Sequence, residues 1–169
     1  LAEGVLLPLA ACSSGDPAVV QSRFDDFTQE MFLGTMQSDF TSSVYFIEDP
    51  EAYGFDRSEM EVTVGTEESD ENFREAAKQN EATLNALHRF DRSLLTPEQQ
   101  DTYDLLDWSG KLSQKSYEDR FRYYGSHFSN LGGVHTSMLT TLSELQVQSE
   151  EDLRKIPELL RSIPDYIDS

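Results

Sequence analysis

Thr96-Pro97-Glu98-Gln99 fixes a helix start more firmly than any other stretch of this chain. A threonine N-cap accepts a backbone N–H of the first turn, and proline at the first helical position sacrifices no hydrogen bond. Glutamine three residues after the cap closes a capping box by reaching back to the cap's own N–H. Asp16-Pro17 repeats the first two signals, and Ser69-Asp70 and Ser149-Glu150-Glu151-Asp152 supply further caps. A chain punctuated in this way is committed to a series of helices.

Apolar residues after each cap recur at helical spacing. Val20, Phe24, Phe27 and Met31 form a stripe that runs to about Met36, with Asp25, Asp26, Gln29 and Glu30 on the wet side. A Met and Phe stripe of this kind is core, not a cofactor box. Phe73, Ala77, Leu84, Leu87 and Phe90 mark the buried side of the next helix, with Arg74, Lys78 and Glu81 outside. Tyr103, Leu106 and Leu112 follow the Thr96 cap and lead into an aromatic cluster at Tyr117, Phe121, Tyr123 and Tyr124. A helix from about His135 to Leu145 carries Met138, Leu139 and Leu142. On the last helix Leu153, Ile156, Leu160 and Ile163 are expected inward, and Pro157 should kink or shorten it.

Between these helices the pattern changes. Val44-Tyr45-Phe46-Ile47 reads as a short helix or an extended piece, and Asp49-Pro50 and Tyr53-Gly54 are turns. Glu61 to Gly65 alternates like a strand but is too short to build a sheet, and reads as an extended surface loop. The expected fold is all-α, an irregular antiparallel bundle of about five helices.

The 169 residues suit one domain, and a formal charge of −19 repels phosphate backbones, so nucleic acid is excluded as a partner. Glu48 to Glu75 holds 11 acids and 2 bases, nearly half the net charge. It lacks the spaced Asp-x-Asp-x-Asp-Gly loop of a calcium site, and reads as a solvated loop and helix start.

A single cysteine, Cys12, permits no internal disulfide. Leu1 to Ala11 is apolar apart from Glu3 and Gly4, and is too short to span a membrane. Its length suits the tail of a secretory signal. Leu9-Ala10-Ala11-Cys12 then reads as a bacterial lipobox, with the Cys12 thiol carrying diacylglycerol and Ser13-Ser14-Gly15 giving slack before the helix at Asp16. The alternative, a small buried thiol in a core helix, fits poorly with Ser-Ser-Gly directly after it. Residues 1–15 are therefore expected to be a signal remnant, lipobox and tether, and 16–169 the helical region. The implied location is the bacterial cell envelope, outside the cytoplasm, with the membrane as partner through Cys12.

Chemistry is harder to find. His88, His127 and His135 include no i,i+4 pair and no His-Glu-x-x-His. His88 lies near a helix end, where positive charge suits the carboxyl-terminal dipole. His127 and His135 share a glycine-flanked aromatic loop and are the best pocket candidates, although loop histidines without a partner motif are more often plain polar surface. No nucleophile elbow, phosphate loop or dinucleotide fingerprint is present, and Gly132-Gly133 reads as a tight turn. No catalytic residue, metal ligand or cofactor is assigned within these residues.

Four stretches together resemble the bacterial domain-of-unknown-function family 885 (DUF885). They are Phe24-x-x-Phe27 with Met31-Phe32 and Ser38-Asp39, then Asp49-Pro50-Glu51-Ala52-Tyr53-Gly54. Phe90 to Gln100 with Tyr103, Asp104 and Leu106 is the third. Leu131-Gly132-Gly133-Val134, followed by Glu151-Asp152 and Ile163-Pro164-Asp165-Tyr166, is the fourth. The resemblance covers about Ser22 to the end.

It implies a larger, mostly helical exported protein, of which this bundle would be an incomplete amino-terminal part. It also implies a metallopeptidase-like His-Glu-x-x-x-x-His motif far downstream, with zinc in the full-length protein and peptides as substrates. None of those ligands maps onto this chain. Glu61 to Val64 falls in a region variable in the family, and Pro157 where an uninterrupted helix is expected.

The resulting expectation is a non-catalytic helical segment of an exported lipoprotein, with the remainder of its own chain as a partner. The aromatic cluster, with Phe128, would then leave an exposed apolar patch. The alternative is a self-contained helical envelope lipoprotein that binds a ligand or protein partner.

Overall fold

The computed structural model describes residues 15–38, 40–54, 56–60, 62, 69–121, 133–145, 147 and 149–168. Among them there is no strand. Six α-helices follow in order: α1 Pro17–Ser38, α2 Phe40–Phe46, α3 Asp70–Leu87, α4 Pro97–Ser116, α5 Val134–Glu144 and α6 Glu150–Asp168. Short 3-10 turns occupy Glu51–Tyr53, Arg57–Glu59, Arg92–Leu94 and Asp119–Phe121. The all-α class is the one the caps and apolar periods predict. Val44 to Phe46, open between helix and extended chain in the sequence, belongs to a helix.

Helix starts use the caps read from the sequence. The Ala18 N–H donates to Asp16 Oδ1 at 3.0 Å, and the Asn72 N–H to Ser69 Oγ at 3.2 Å. At Thr96 the box is reciprocal: the Gln99 N–H donates to Thr96 Oγ1 at 3.2 Å, and the Thr96 N–H donates to Gln99 Oε1 at 3.1 Å. Each such cap satisfies amides that the first helical turn leaves without a partner.

The chain divides into two compact units. The first comprises Leu1–Gly34 and Lys78–Lys115. Its core is Phe24, Phe27, Ala86, Leu87 and Leu95, with Val20, Met31, Phe90, Tyr103 and Leu106 packed against them. The expected α1 stripe is this core, and Asp25, Asp26, Gln29 and Glu30 are exposed. Phe90 meets Phe24 edge-on, ring centres 5.3 Å apart, and Phe27 at 5.4 Å. Such quadrupole-matched aromatic pairs contribute about 0.5–1.5 kcal/mol each beyond burial.

The second unit comprises Thr35–Ala77 and Ser116–Ser169. Phe40, Val44, Val62 and Leu159 form its buried cluster, joined by Met60, Leu142, Leu145 and Ile156. Val62 is the described residue of the segment expected to be an extended surface loop, and it is buried. The rest of that segment lies outside the described residues.

On α6 the structure corrects two expectations. Its inward side is set by Asp152 and Leu159, both almost fully buried, whereas Leu153 and Leu160 are 61% and 50% exposed. The helix also continues through Pro157 and Pro164, so Pro157 does not shorten it. Proline removes the N–H that would bond the carbonyl four residues earlier. Here those carbonyls belong to Leu153 and Leu160, residues on the exposed side, where losing an internal donor costs less than in the core. Pro157→Ala is accordingly expected to stabilise the protein, by up to about 3 kcal/mol. A urea unfolding curve with a lower midpoint than the parent would contradict this.

Candidate functional site

Two places concentrate polar groups or open space, one in each unit. In the first unit a recess of about 120 Å³ opens between α1, α3 and α4. Phe27, Leu87 and Leu106 form its apolar floor, and Asn80, Thr83 and Ser109 bring amide and hydroxyl groups to it. Gly110 also lines it, and a Cβ at that position would stand 2.7 Å from Leu84 Cδ2. The missing side chain lets α3 and α4 approach closely. Asn80 Nδ2 fixes the approach by donating to the Gly110 carbonyl at 3.0 Å and to Gln114 Oε1 at 2.7 Å. The lining carries no ionisable side chain, so it offers no acid, base or metal ligand. It is also smaller than the roughly 300–1,000 Å³ typical of small-molecule sites. Its chemistry is that of a socket for an apolar side chain with a hydroxyl or amide edge.

In the second unit Arg57, Ser43 and Asp152 lie together, with 6%, 0% and 2% of their surface exposed. Arg57 Nε donates to Ser43 Oγ at 3.1 Å, Nη1 to Asp152 Oδ2 at 3.4 Å, and Nη2 to the Ser43 carbonyl at 3.0 Å. Nη2 also donates to the Ile47 carbonyl. The guanidinium therefore sits at the carboxyl end of α2, where the last carbonyls and the helix dipole favour a cation. Asp152 is held from the other side, its N–H donating to Ser149 Oγ at 3.0 Å.

Lys155, one turn on, donates to the carbonyls of Arg57, Ser58 (2.8 Å) and Met60 (3.1 Å), and lies over the Phe40 ring at 5.5 Å. All three ammonium hydrogens are thereby committed. These two cations stitch α6 to α2 and to the Arg57–Glu59 turn. Each of these bonds goes to a structural partner within the unit.

The connection from α3 to α4 follows the same logic. Asp91 accepts from the Ser93 hydroxyl at 2.7 Å and its N–H at 3.0 Å, which lowers its pKa below the ordinary carboxyl value. Arg92 forks onto Asp104, Nε to Oδ1 at 2.7 Å and Nη2 to Oδ2 at 2.6 Å, and these bonds lower the Asp104 pKa. Gln99 Nε2 donates to Gln21 O at 3.0 Å and Asp25 Oδ1 at 2.6 Å, tying the α4 cap to α1. Asp107 accepts from Lys111 Nζ at 2.6 Å and lies 2.7 Å from His88 Nε2. Those contacts, Lys111 foremost, hold its carboxyl below the usual range.

Of the residues singled out in the sequence, Cys12 and His127 lie outside the described residues, as does the side chain of His135. The backbone of His135 belongs to the first turn of α5, which begins at Val134. His88 follows the end of α3 as expected and is paired with Asp107. Tyr117 and Phe121 are half-buried, Tyr117 edge-on to Phe73 at 5.4 Å, while Tyr123, Tyr124 and Phe128 lie outside the described residues.

Sequence reasoning missed Arg57. The signal available was a cation set in an acidic stretch, one of 2 bases among 11 acids between Glu48 and Glu75. Among the described residues no group of three or more His, Cys, Asp or Glu side chains is arranged to hold a metal ion. No described helix is long and apolar enough to cross a membrane.

The family model described as "Bacterial protein of unknown function (DUF885)" matches residues 53–169, more than half of the chain. No curated protein and no solved structure matches.

Proposed function

The chain belongs to the DUF885 family, and from that premise we propose that it is the lipid-anchored, non-catalytic helical part of a metallopeptidase-like protein. In this reading the zinc ligands and the peptide-cleaving groups lie downstream of α6, in a longer chain. These helices support one wall of the substrate cleft.

The observation that carries the scaffold role is how the chain uses its polar residues where it resembles the family. Phe90 to Gln100 contributes core (Phe90, Leu95), caps (Asp91, Thr96) and ties (Arg92, Gln99). Asp49 to Gly54 makes a turn closed by Gly54, whose φ of +80° suits glycine. Asp152 anchors the buried guanidinium of Arg57. Each position has a structural partner that accounts for its chemistry.

The anchor rests on Leu9-Ala10-Ala11-Cys12 and on the helix that Asp16 caps shortly after it. It places the protein in the bacterial envelope, outside the cytoplasm. Cells expressing the parent protein and Cys12→Ala, grown with radioactive palmitate, test this address. Label in the parent band and none in the variant is expected, and equal label in both would remove the anchor.

A further inference from the structure

The outward side of α4 carries Leu105, Trp108 and Leu112, which are 62%, 62% and 53% exposed. Tyr103 and Leu106 hold the core side of this helix. The spacing of three and four extends to exposed Asp101 at one end and exposed Lys115 at the other. One line along the helix thus reads acid, three large apolar residues, base, with the heptad step of a helix-pairing seam.

Charge along the whole helix follows the same order. Glu98, Asp101, Asp104 and Asp107 come first along the helix, and Lys111 and Lys115 follow them. A second α4 laid parallel would set acid beside acid and base beside base. Laid antiparallel, it sets Asp101 of each chain near Lys115 of the other, twice, about a two-fold axis near Trp108. The surface is self-complementary, as an isologous contact requires. An aromatic residue at its centre, apolar residues beside it and charges at its rim are the parts of a protein interface. A net charge of −19 disfavours anionic lipid or nucleic acid on this face, and its repulsion between two copies keeps their association weak.

We propose that α4 pairs antiparallel with α4 of a second copy of this chain, Trp108 lying near the axis and Asp101 meeting Lys115 at each end. The contact is small, so association is weak and concentration-dependent.

Sedimentation equilibrium from about 1 to about 500 μM, the range of weak complexes, reads it directly. The parent chain is expected to pass from monomer to dimer. Asp101→Lys alone and Lys115→Asp alone should each weaken the dimer roughly tenfold, because the two-fold axis applies each substitution twice. Mixing those two variants should restore association at least to the parent level, since one chain then presents lysine at both ends and the other aspartate at both. Both residues are exposed, and unchanged circular dichroism verifies the fold of each variant. A parent chain that stays monomeric throughout overturns the proposal. So does a dimer indifferent to both substitutions, or a mixture that regains nothing.

Discussion

Arg57→Ala is expected to lower the stability of the protein by about 3–5 kcal/mol, the cost of leaving a buried ionic partner without its counter-charge. The loss has three sources. Asp152 stays buried without its cation, Ser43 Oγ loses the donor from Nε, and the carbonyls of Ser43 and Ile47 at the end of α2 lose Nη2. Asp152→Ala should cost less, about 1–3 kcal/mol, because Arg57 keeps three oxygen acceptors at the carboxyl end of a helix. Urea unfolding of the two single variants and the double variant measures both costs and their coupling. Equal stability of Arg57→Ala and the parent would mean that this guanidinium does not hold α2 and α6 together.

Phe24→Ala should bring a loss of similar size in the first unit, about 3–5 kcal/mol. Phe24 is 1% exposed and its ring touches Phe27, Phe90 and Tyr103, so truncation opens a cavity lined by aromatic rings that cannot readily collapse. Val19, on the same helix, is 42% exposed, and Val19→Ala is expected to stay within about 0.5 kcal/mol. The contrast within one helix separates burial from helix propensity. A Phe24→Ala variant as stable as Val19→Ala would contradict the core described for this unit.

These two predictions also mark how far the sequence alone could reach. Phe24 was legible because its partners on α1 recur at local helical spacing, and Thr96 because a capping box is complete within four residues. Arg57 was not, since its carboxylate partner comes from α6, near the other end of the chain, and no local period links the two. The same distance explains the misread side of α6. Local hydropathy favoured Leu153 and Leu160, but the buried cation draws Asp152 inward and Leu159 with it.

The recess beside Gly110 was illegible for a related reason. It is assembled from three helices, and the close approach it depends on appears in the sequence only as one glycine within α4.

The polar residues of both units are used in one consistent way. In the connection from Asp91 to Gln99, and in the cluster around Arg57, side chains that could do chemistry are bonded to caps, carbonyls and counter-ions. Polar groups committed in this manner hold helices and turns in fixed positions.

The most direct test of the claim that this chain supplies helices and not catalytic groups is a peptide-hydrolysis assay on the purified chain. It is incubated with excess zinc and a mixed peptide pool, and the products are read by mass spectrometry. The account predicts no cleavage above a zinc-only blank. Cleavage by the chain that a chelator stops, and that is lost when His88, His127 and His135 are replaced by alanine, would contradict it.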